Sequence, residues 1–431
     1  MPSIKIPENL LTVIQKLAEK GFSAYLVGGC VRDFLLGKAP HDWDICTDAL
    51  PEEVISCFRD YSVVPTGIAH GTVCVVINGE QYEITTFRRE EGYTDSRRPD
   101  RVYFDANLIK DLSRRDFTIN AIAYSPKEGI VDYFGGLSDL KAKTIDCVGN
   151  PDERFGEDAL RILRAIRFAS VLGFEIGKDT KESILKNAYA LHKISAERKR
   201  EELFAFISGE NCKKLMLEYR IVFESVFPEI LKDDYSFKPT IPPDVWEYTS
   251  AVVSNCSADK ITRLAGLLYN ANSFYTAGID KINTAREIMN GLKFDNKTKA
   301  RVLTLIAYGD TSAKAEIPCI LKLLNEIGKD SFIKLLELKK AIAEASLYGK
   351  AFKESVNHIE KVKAIANDIF SRNLCYSIKQ LAINGKTLID EGFPEGEQIG
   401  KILNDCLNQI ISGNLYNTKN DILLYVRIKY K

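Results

Sequence analysis

Apolar and polar residues recur with two different periods along the first third of the chain. Over residues 7–20 the apolar positions recur at helical spacing and a glycine follows, which predicts an amphipathic helix. An apolar run at 25–27 then stops at Gly28 and Gly29, and a helical pattern follows at 31–36. The chain is therefore expected to form a short buried strand that turns tightly into the start of a helix.

Strand-like patterns dominate the next segment. The chain is expected to return to a strand at 41–46, and a third helix is expected to follow and to end near residue 59. Three further strands are predicted from β-branched and aromatic residues, at 61–65, 72–77 and 81–87. Asn78 and Gly79 favour a tight hairpin turn between the last two of these strands.

Helical patterns take over in the second part of the chain. From about residue 148 helical periodicity continues almost to the end, for instance at 320–338 and 399–411. At 431 residues with 45% hydrophobic content, the chain can hold roughly three domain-sized units. The expected fold class is α+β, with a small mixed sheet flanked by helices first and helices only after it.

Charge and cysteine content narrow the possible partners and compartments. Lysine plus arginine and aspartate plus glutamate number 59 each, so any nucleic-acid binding must come from local basic faces. Ten cysteines occur without a CxxC spacing or a histidine-rich neighbourhood, which argues against a zinc site and a disulfide framework. With no apolar leader and no long uncharged apolar stretch, a cytoplasmic protein without a membrane segment is expected.

The glycine turn and the segment after it carry candidate chemistry. Adjacent Gly28 and Gly29 leave backbone N–H groups accessible to a polyphosphate, and Arg32 can add a positive charge. On a strand, Asp42 and Asp44 would point to one face and could share hard cations. A glycine pair is often only a turn, and such aspartates are often only solvated. Together and in this order they indicate metal-assisted nucleotidyl transfer.

Three later features have two interpretations each. Glu83 could be a third carboxylate for a metal or a solvent-facing residue of a half-buried strand. The charged segment 88–101 could be a solvated connector, although its length favours a functional flap. In the segment 111–123, an acid after two arginines could simply start a helix. Alternatively, an arginine, an acid and an amide there could grip a ribose hydroxyl and triphosphate oxygens.

These segments resemble, in order, the motifs of the DNA polymerase β nucleotidyltransferase superfamily in the form found in bacterial class II tRNA nucleotidyltransferases, the CCA-adding enzymes. The resemblance is carried by YLVGGCVRDFLLGKAPHDWDICT, RRDFTINAIA and EDALR. It implies that Asp42 and Asp44 hold two Mg²⁺ ions and are catalytic, with Glu83 as the candidate third carboxylate. It also implies a set of residues around the sugar and phosphates of the incoming nucleotide: Gly28, Gly29, Arg32, Arg115, Asp116 and Asn120.

A strongly amphipathic helix is predicted over about 150–168, on which Asp158 and Arg161 would be neighbours on one face. They could form an exposed ion pair. Alternatively, Asp158 could accept from an exocyclic amine of a base while Arg161 donates to a ring nitrogen. Cytosine and adenine offer that amine, whereas uracil and guanine offer a carbonyl. EDALR resembles the family's base-selecting motif, which implies Glu157 as a positioning partner and places Arg164 among the nucleotide-binding residues.

The resemblance implies a domain organisation as well. It consists of a nucleotidyltransferase head over 1–147, a nucleotide-selecting neck over 148–215, a helical body over 216–320 and a tRNA-binding tail over 321–431. CTP and ATP are the implied substrates, and the tRNA acceptor stem and elbow are the implied contacts; no protein partner is inferred. The segment 194–203 resembles the last family motif and is expected to brace the base-reading helix. Only four scattered histidines occur, so the metal phosphohydrolase domain of some relatives is not expected.

Three rival functions differ from full CCA addition. In the family, the loop that matches 88–101 is needed for the terminal A step, and here it looks complete, which disfavours a CC-only specialist. An A-only specialist stays open. A bacterial poly(A) polymerase is disfavoured by the balanced charge and by the lack of a long basic extension. A catalytically inactive RNA-binding relative would be expected to have lost one of the two aspartates.

Overall fold

The computed structural model describes residues 6–40, 42–65, 67–92, 101–104, 107–227, 243–274 and 280–430. The chain divides into two units, Met1–Pro228 and Glu229–Lys431, which are called the N-terminal unit and the C-terminal unit. Within the described residues every strand lies in the N-terminal unit and the C-terminal unit is helical. The predicted α+β class is therefore confirmed.

The N-terminal unit contains all the strands and about half of the helices. The strands are β1 (Ala24–Val27), β2 (Asp44–Thr47), β3 (Ser62–Val64), β4 (Thr72–Ile77), β5 (Glu80–Thr86), β6 (Arg89–Glu91), β7 (Arg101–Tyr103), β8 (Ile122–Ser125), β9 (Gly129–Asp132), β10 (Thr144–Ile145) and β11 (Glu175–Ile176). The helices are α1 (Glu8–Glu19), α2 (Gly29–Leu35), α3 (Pro51–Cys57), α4 (Leu108–Ser113), α5 (Gly136–Ala142), α6 (Pro151–Glu157), α7 (Leu160–Leu172), α8 (Lys178–Asn187), α9 (Ala196–Phe206), α10 (Cys212–Glu218) and α11 (Arg220–Val226).

The main sheet has the strand order β3-β4-β5-β2-β1-β8-β9. Strand β1 is buried at every position and pairs antiparallel with β2 and β8. Strands β4 and β5 form the predicted hairpin, and both turn residues have positive φ, 51° at Asn78 and 85° at Gly79. Strand β2 pairs in parallel with β5, which places Asp44 beside Glu83. This pairing brings two distant segments together at one end of the sheet.

Three local predictions differ from the structure. The strand expected at 41–46 begins only at Asp44, Asp42 lies in the bend before it, and His41 is outside the described residues. The start of the segment 88–101 is not a plain loop, because β6 pairs antiparallel with β7; residues 93–100 lie outside the described residues. Strand β11, which pairs in parallel with β10, also interrupts the region predicted to be helical from about residue 148.

The described residues of the C-terminal unit form nine α-helices and the segments between them. They are α12 (Pro243–Asn255), α13 (Lys260–Leu268), α14 (Lys281–Gly291), α15 (Asn296–Gly309), α16 (Ile317–Ser346), α17 (Gly349–Ser371), α18 (Gly385–Asp390), α19 (Glu397–Ile411) and α20 (Lys419–Tyr430). The helices predicted at 320–338 and 399–411 are confirmed, because these segments lie within α16 and α19. Helix α16 is kinked at Gly328 (φ 75°). The last helices share an apolar core that includes Leu388, Ile402 and Val426.

The ten cysteines are all free, and seven of them are buried. This agrees with the expectation that they are small core residues and do not form a disulfide framework. Among the described helices, none combines the length and the apolar character that crossing a bilayer requires.

Candidate active site

Four acidic residues, including Asp42, Asp44 and Glu83, line one cleft beside the interior strands β2 and β5. Asp44 is the first residue of β2, Asp42 lies just before it, and Glu83 is the partner of Asp44 in the parallel ladder. Paired residues of neighbouring strands point to the same face, so Asp44 and Glu83 project together. The three residues line a cleft of ≈ 660 Å³. The structure thus brings together the carboxylates that the sequence predicted separately.

The electrostatics of the cleft suit a cation. Burial of the carboxylate within the cleft raises the pKa of Asp44, the Arg115 guanidinium opposes that rise, and the charge of Asp42 adds to it. Carboxylate oxygens are the ligands that hard divalent ions prefer, and such an ion would offset the repulsion between the two aspartates. Among the described residues, no group of three or more histidine, cysteine or acidic side chains is arranged to hold a metal. Asp42 and Asp44 supply carboxylate oxygens of the kind that such an ion takes, and Glu83 does not join them in a three-ligand group.

Gly28 forms the turn between β1 and α2 and adopts φ 76°. A Cβ atom built on Gly28 would lie 3.1 Å from Nη1 of Arg115 and 3.7 Å from Oδ2 of Asp44. A Cβ on Gly29 would lie 3.6 Å from Nη2 of Arg32. Gly28 therefore lets Arg115 approach the backbone of the turn closely and needs the left-handed conformation that glycine tolerates, whereas a Cβ at Gly29 would be in ordinary contact with Arg32.

Replacement of Gly28 by alanine is expected to lower nucleotide incorporation about tenfold, because Nη1 of Arg115 must shift by a few tenths of an ångström. Gly21→Ala is the matched control, since Gly21 has φ 89° and nothing within 4 Å of its Cβ position. Both variants are expected to lose about 1 kcal/mol of unfolding free energy or somewhat more from backbone strain. Melting temperatures and incorporation rates, measured side by side, separate the two effects. Equal activity of the two variants would contradict the role of the close approach.

A chain of polar contacts runs from the glycine turn to α7. Nη1 of Arg32 donates to Oδ1 of Asn120 at 2.7 Å, and Nδ2 of Asn120 donates to Oδ1 of Asp116 at 3.1 Å. Nε of Arg164 donates to Oδ2 of Asp116 at 2.7 Å. Burial would raise the pKa of Asp116, but Arg164 and the hydrogen bond from Asn120 hold it below its usual range. Four of the residues predicted to bind the nucleotide are thus connected to one another.

Of the two interpretations of 111–123, the helix start after the two arginines does not match the structure. Helix α4 ends at Ser113, residues Thr118–Asn120 form a single 3₁₀ turn, and the chain then enters β8. The tight turn brings the amide of Asn120 next to the carboxylate of Asp116. The alternative interpretation, in which an arginine, an acid and an amide converge, fits this geometry.

Asp111 is a site residue that the sequence did not single out. Its side chain is fully buried and pairs with Arg114 at 2.7 Å and with Arg115 at 3.4 Å. Burial opposes ionisation, yet the two guanidinium groups hold the pKa of Asp111 below its usual range. Asp111 therefore orients Arg115 toward Gly28. The spacing of three and four residues on one helical face was the available signal.

The predicted continuous helix over 150–168 is broken at Asp158. Helix α6 ends at Glu157, Asp158 is extended (φ -150°, ψ 103°), and α7 begins at Leu160. Asp158 and Arg161 are consequently not an intrahelical pair. Oδ2 of Asp158 accepts from Nη2 of Arg198 at 2.6 Å, and Oδ1 accepts from Nη1 of Arg198 at 3.2 Å and from the Leu160 N–H at 3.1 Å. The carboxylate of Asp158 therefore accepts from the first N–H of α7 and forms a two-pronged ion pair with Arg198 of α9.

Arg161 is held separately by α6 and by the segment after α4. Its Nη1 donates to Oε2 of Glu157 at 2.6 Å and to the Arg154 carbonyl at 3.2 Å, and its Nη2 donates to the Arg114 carbonyl at 3.1 Å. Glu157 is thus a partner of Arg161, as the resemblance implied. Arg198 of α9 holds Asp158 and Glu202 of α9 pairs with Arg164 at 3.5 Å, so the segment 194–203 braces this region as expected.

Family models match three parts of the chain. The Poly A polymerase head domain matches residues 24–146, the RNA and SrmB-binding site of polymerase A matches 173–233, and tRNA nucleotidyltransferase domain 2 matches 271–426. The first match contains the carboxylate cleft and the glycine turn.

Full-length relatives decide the family. The CCA-adding enzyme of Lactobacillus delbrueckii subsp. bulgaricus is 36% identical over 439 residues, which cover 99% of this chain and 100% of that protein. The chain belongs to the CCA-adding enzyme family. The CCA-adding enzyme of Ligilactobacillus salivarius is 35% identical over 429 residues, which cover 96% of this chain and 95% of that protein. Among solved structures, the Bacillus stearothermophilus CCA-adding enzyme in complex with CTP aligns with a TM-score of 0.70 and 29% identity, over 97% of this chain and 96% of that one.

Proposed function

We propose that this member of the CCA-adding enzyme family adds or repairs the 3′-terminal CCA of tRNA without a nucleic-acid template, using CTP and ATP. The observation that carries the proposal is the connection between two groups of residues. Arg161 donates to the carbonyl of Arg114, and the next residue, Arg115, lies against Gly28 and Asp44. A base held at Arg161 and phosphates held at the glycine turn would therefore belong to one nucleotide.

The residues of the cleft have separate tasks in this proposal. Asp42 and Asp44 would hold two Mg²⁺ ions, whose chemistry is activation of the tRNA 3′-hydroxyl and neutralisation of the leaving pyrophosphate, and Glu83 lines the same cleft as the candidate third carboxylate. Gly28, Gly29 and Arg32 bind the triphosphate. Arg115, Asp116 and Asn120 orient the sugar and the phosphates, with Arg164 holding Asp116 in place.

The remaining hydrogen-bonding capacity at 158 and 161 selects amino-bearing bases. A carboxylate has about four lone-pair sites. Leu160 and Arg198 occupy both sites on Oδ1 of Asp158 and one on Oδ2, so one acceptor site remains on Oδ2. A guanidinium has five N–H groups. Three of those of Arg161 donate to Glu157, Arg154 and Arg114, so the Nε–H and one N–H of Nη2 remain unused. One acceptor beside two donors matches cytosine and adenine and leaves uracil and guanine with an unsatisfied group.

The proposal also assigns the domain boundaries, the tRNA contacts and the location of the protein. The head, neck, body and tail divide at residues 147, 215 and 320 in this proposal, and the helical body and tail contact the tRNA elbow and acceptor stem. A cytoplasmic location follows from the substrates, since tRNA and nucleoside triphosphates are found there.

One assay tests the proposal against its rivals. The purified protein is given tRNA that ends before CCA, or after CC, with CTP and ATP singly and together. Addition of three residues followed by a stop supports CCA addition. A single A, added only to the CC-ended tRNA, would indicate the A-adding specialist, and long A tracts would indicate a poly(A) polymerase. No incorporation with either substrate would indicate an inactive RNA-binding relative.

Arg198 is expected to contribute to base selection through its grip on Asp158. Arg198→Lys keeps the charge but cannot form the two-pronged contact, so Asp158 loses its fixed orientation. The discrimination between CTP and UTP is expected to fall about tenfold. Single-nucleotide incorporation on CCA-less tRNA measures the ratio. Arg220→Lys alters an ion pair with Glu224 elsewhere in the same unit and should leave the ratio unchanged; an equal ratio in both variants would contradict the role of Arg198.

A further inference from the structure

Three guanidinium groups converge on the ring of Phe168 in α7. The guanidinium carbon of Arg167 lies 3.9 Å from the ring centroid, that of Arg32 lies 5.0 Å away, and that of Arg164 lies 5.4 Å away. Phe168 is only 6% exposed. Its ring also packs edge-on against Phe117, with the centroids 5.8 Å apart. The ring therefore lies between α7, the glycine-turn helix α2 and the segment that carries Asp116.

The ring of Phe168 contacts both Arg32 and Arg164, which lie at the two ends of the polar chain described above. The polar chain from Arg32 through Asn120 and Asp116 to Arg164 begins and ends at residues that contact this ring. Arg32 itself is buried, with 8% of its surface exposed, and its guanidinium lies beside the glycine turn. A buried guanidinium group needs electrostatic compensation, and the face of an aromatic ring supplies part of it.

An aromatic ring compensates Arg32 without using up its hydrogen-bond donors. Nε and Nη2 of Arg32 donate to Asp33 and Nη1 donates to Asn120, so two of the five N–H groups of the guanidinium are left. Asp33 already pairs with Arg32 at 2.7 Å, so a second carboxylate at position 168 would take the two remaining donors as well. The ring attracts the cation through its quadrupole and accepts no conventional hydrogen bond. Arg32 thus keeps two N–H donors for an anionic ligand.

We propose that Phe168 is a positioning residue for the nucleotide's triphosphate: its ring holds the Arg32 guanidinium against the glycine turn with its N–H groups directed to the phosphates. The proposal rests on the assignment of Arg32 to the triphosphate in the proposed function. It makes α7 part of the phosphate site as well as of the base-reading site. Because CTP and ATP share their phosphates, loss of the ring affects both substrates alike.

The test compares Phe168→Leu with Phe168→Tyr and Phe206→Leu. Phe206 is a buried phenylalanine of the same unit that packs against Phe223, so its replacement removes a ring of similar burial away from Arg32. Phe168→Leu is expected to raise the KM for CTP and for ATP by a common factor of roughly ten, with little change in kcat. Inhibition by inorganic tripolyphosphate should weaken by a similar factor, since this probe has no base or sugar. Phe168→Tyr, which keeps the ring, should restore both values.

Several results would overturn the proposal. One is a folded Phe168→Leu protein with wild-type KM values and wild-type inhibition by tripolyphosphate. Another is an equal rise of KM in Phe206→Leu, which would make the effect a general one of core packing. A rise of KM without weaker inhibition would place the defect at the base and not at the phosphates. If the active wild-type protein were not inhibited by tripolyphosphate, the assignment of Arg32 would fail with the proposal, while CCA addition would still stand on its own assay.

Discussion

Asp44→Asn is expected to abolish nucleotide incorporation, with a loss of about a thousandfold or more, while the protein folds normally. The amide keeps the size of the side chain but removes one of the two charges that hold the cations, and metal stabilisation of transferring phosphate is worth several kcal/mol. Asp44 is exposed at the first position of β2 and solvent screens its charge, so a neutral replacement of the same size should leave the melting temperature unchanged.

The measurement pairs a thermal unfolding curve with incorporation of CMP into tRNA that ends before CCA. Glu52→Gln serves as the control, because Glu52 is an exposed acid in the first turn of α3 and lies outside the cleft. Incorporation by Asp44→Asn at a tenth of the wild-type rate or more would count against Asp44 as a metal-holding residue. A lower melting temperature would instead indicate that Asp44 has a structural role.

The second large effect is expected on base selection. Asp158→Asn should reduce the preference for CTP over UTP by about ten- to a hundredfold. The Leu160 N–H and Nη1 of Arg198 both donate at Oδ1, so they keep the amide oxygen at that position. The NH₂ group then replaces Oδ2, where it gives up the contact from Nη2 of Arg198 and can donate to the carbonyl of uracil. The acceptor that recognised an amine becomes a donor.

Competition between CTP and UTP in single-nucleotide incorporation measures this change. Asp152→Asn is the matched control, since Asp152 lies in the neighbouring helix α6 and its carboxylate contacts Ser183, Lys186 and Asn187. An unchanged ratio in Asp158→Asn, with activity retained, would show that the base is read elsewhere. A changed ratio in both variants would indicate a general distortion of α6 and α7.

The sequence predicted local elements well where a short pattern determines them. The glycine turn, the Asn78-Gly79 hairpin and the long helices α16 and α19 follow from neighbouring residues alone. The parallel pairing of Asp44 with Glu83 does not, because the register between strands far apart in the chain depends on how the whole sheet assembles. The sequence could name both carboxylates but could not place them side by side.

The break at Asp158 shows a second limit. Helical periodicity runs through 150–168, yet Asp158 leaves the helix, caps α7 and pairs with Arg198 of α9. A tertiary ion pair and a capping bond together outweigh the modest helical preference of an aspartate. Gly156, Glu157 and Asp158 ahead of an apolar run were a possible helix-end and helix-start signal, but the partner on α9 could be identified only from the fold.

The parallel ladder between β2 and β5 also determines which piece of this protein could be moved to another scaffold. A contiguous peptide from the glycine turn to Thr47 would carry both aspartates but would lose the strand that supplies Glu83. A transplanted site would need β1, β2 and β5 together, with the β4–β5 hairpin holding the last strand in register. In a circular permutant opened at the Asn78-Gly79 turn, β4 would no longer lead directly into β5. Strand β5 would then have to dock against β2 without that connection.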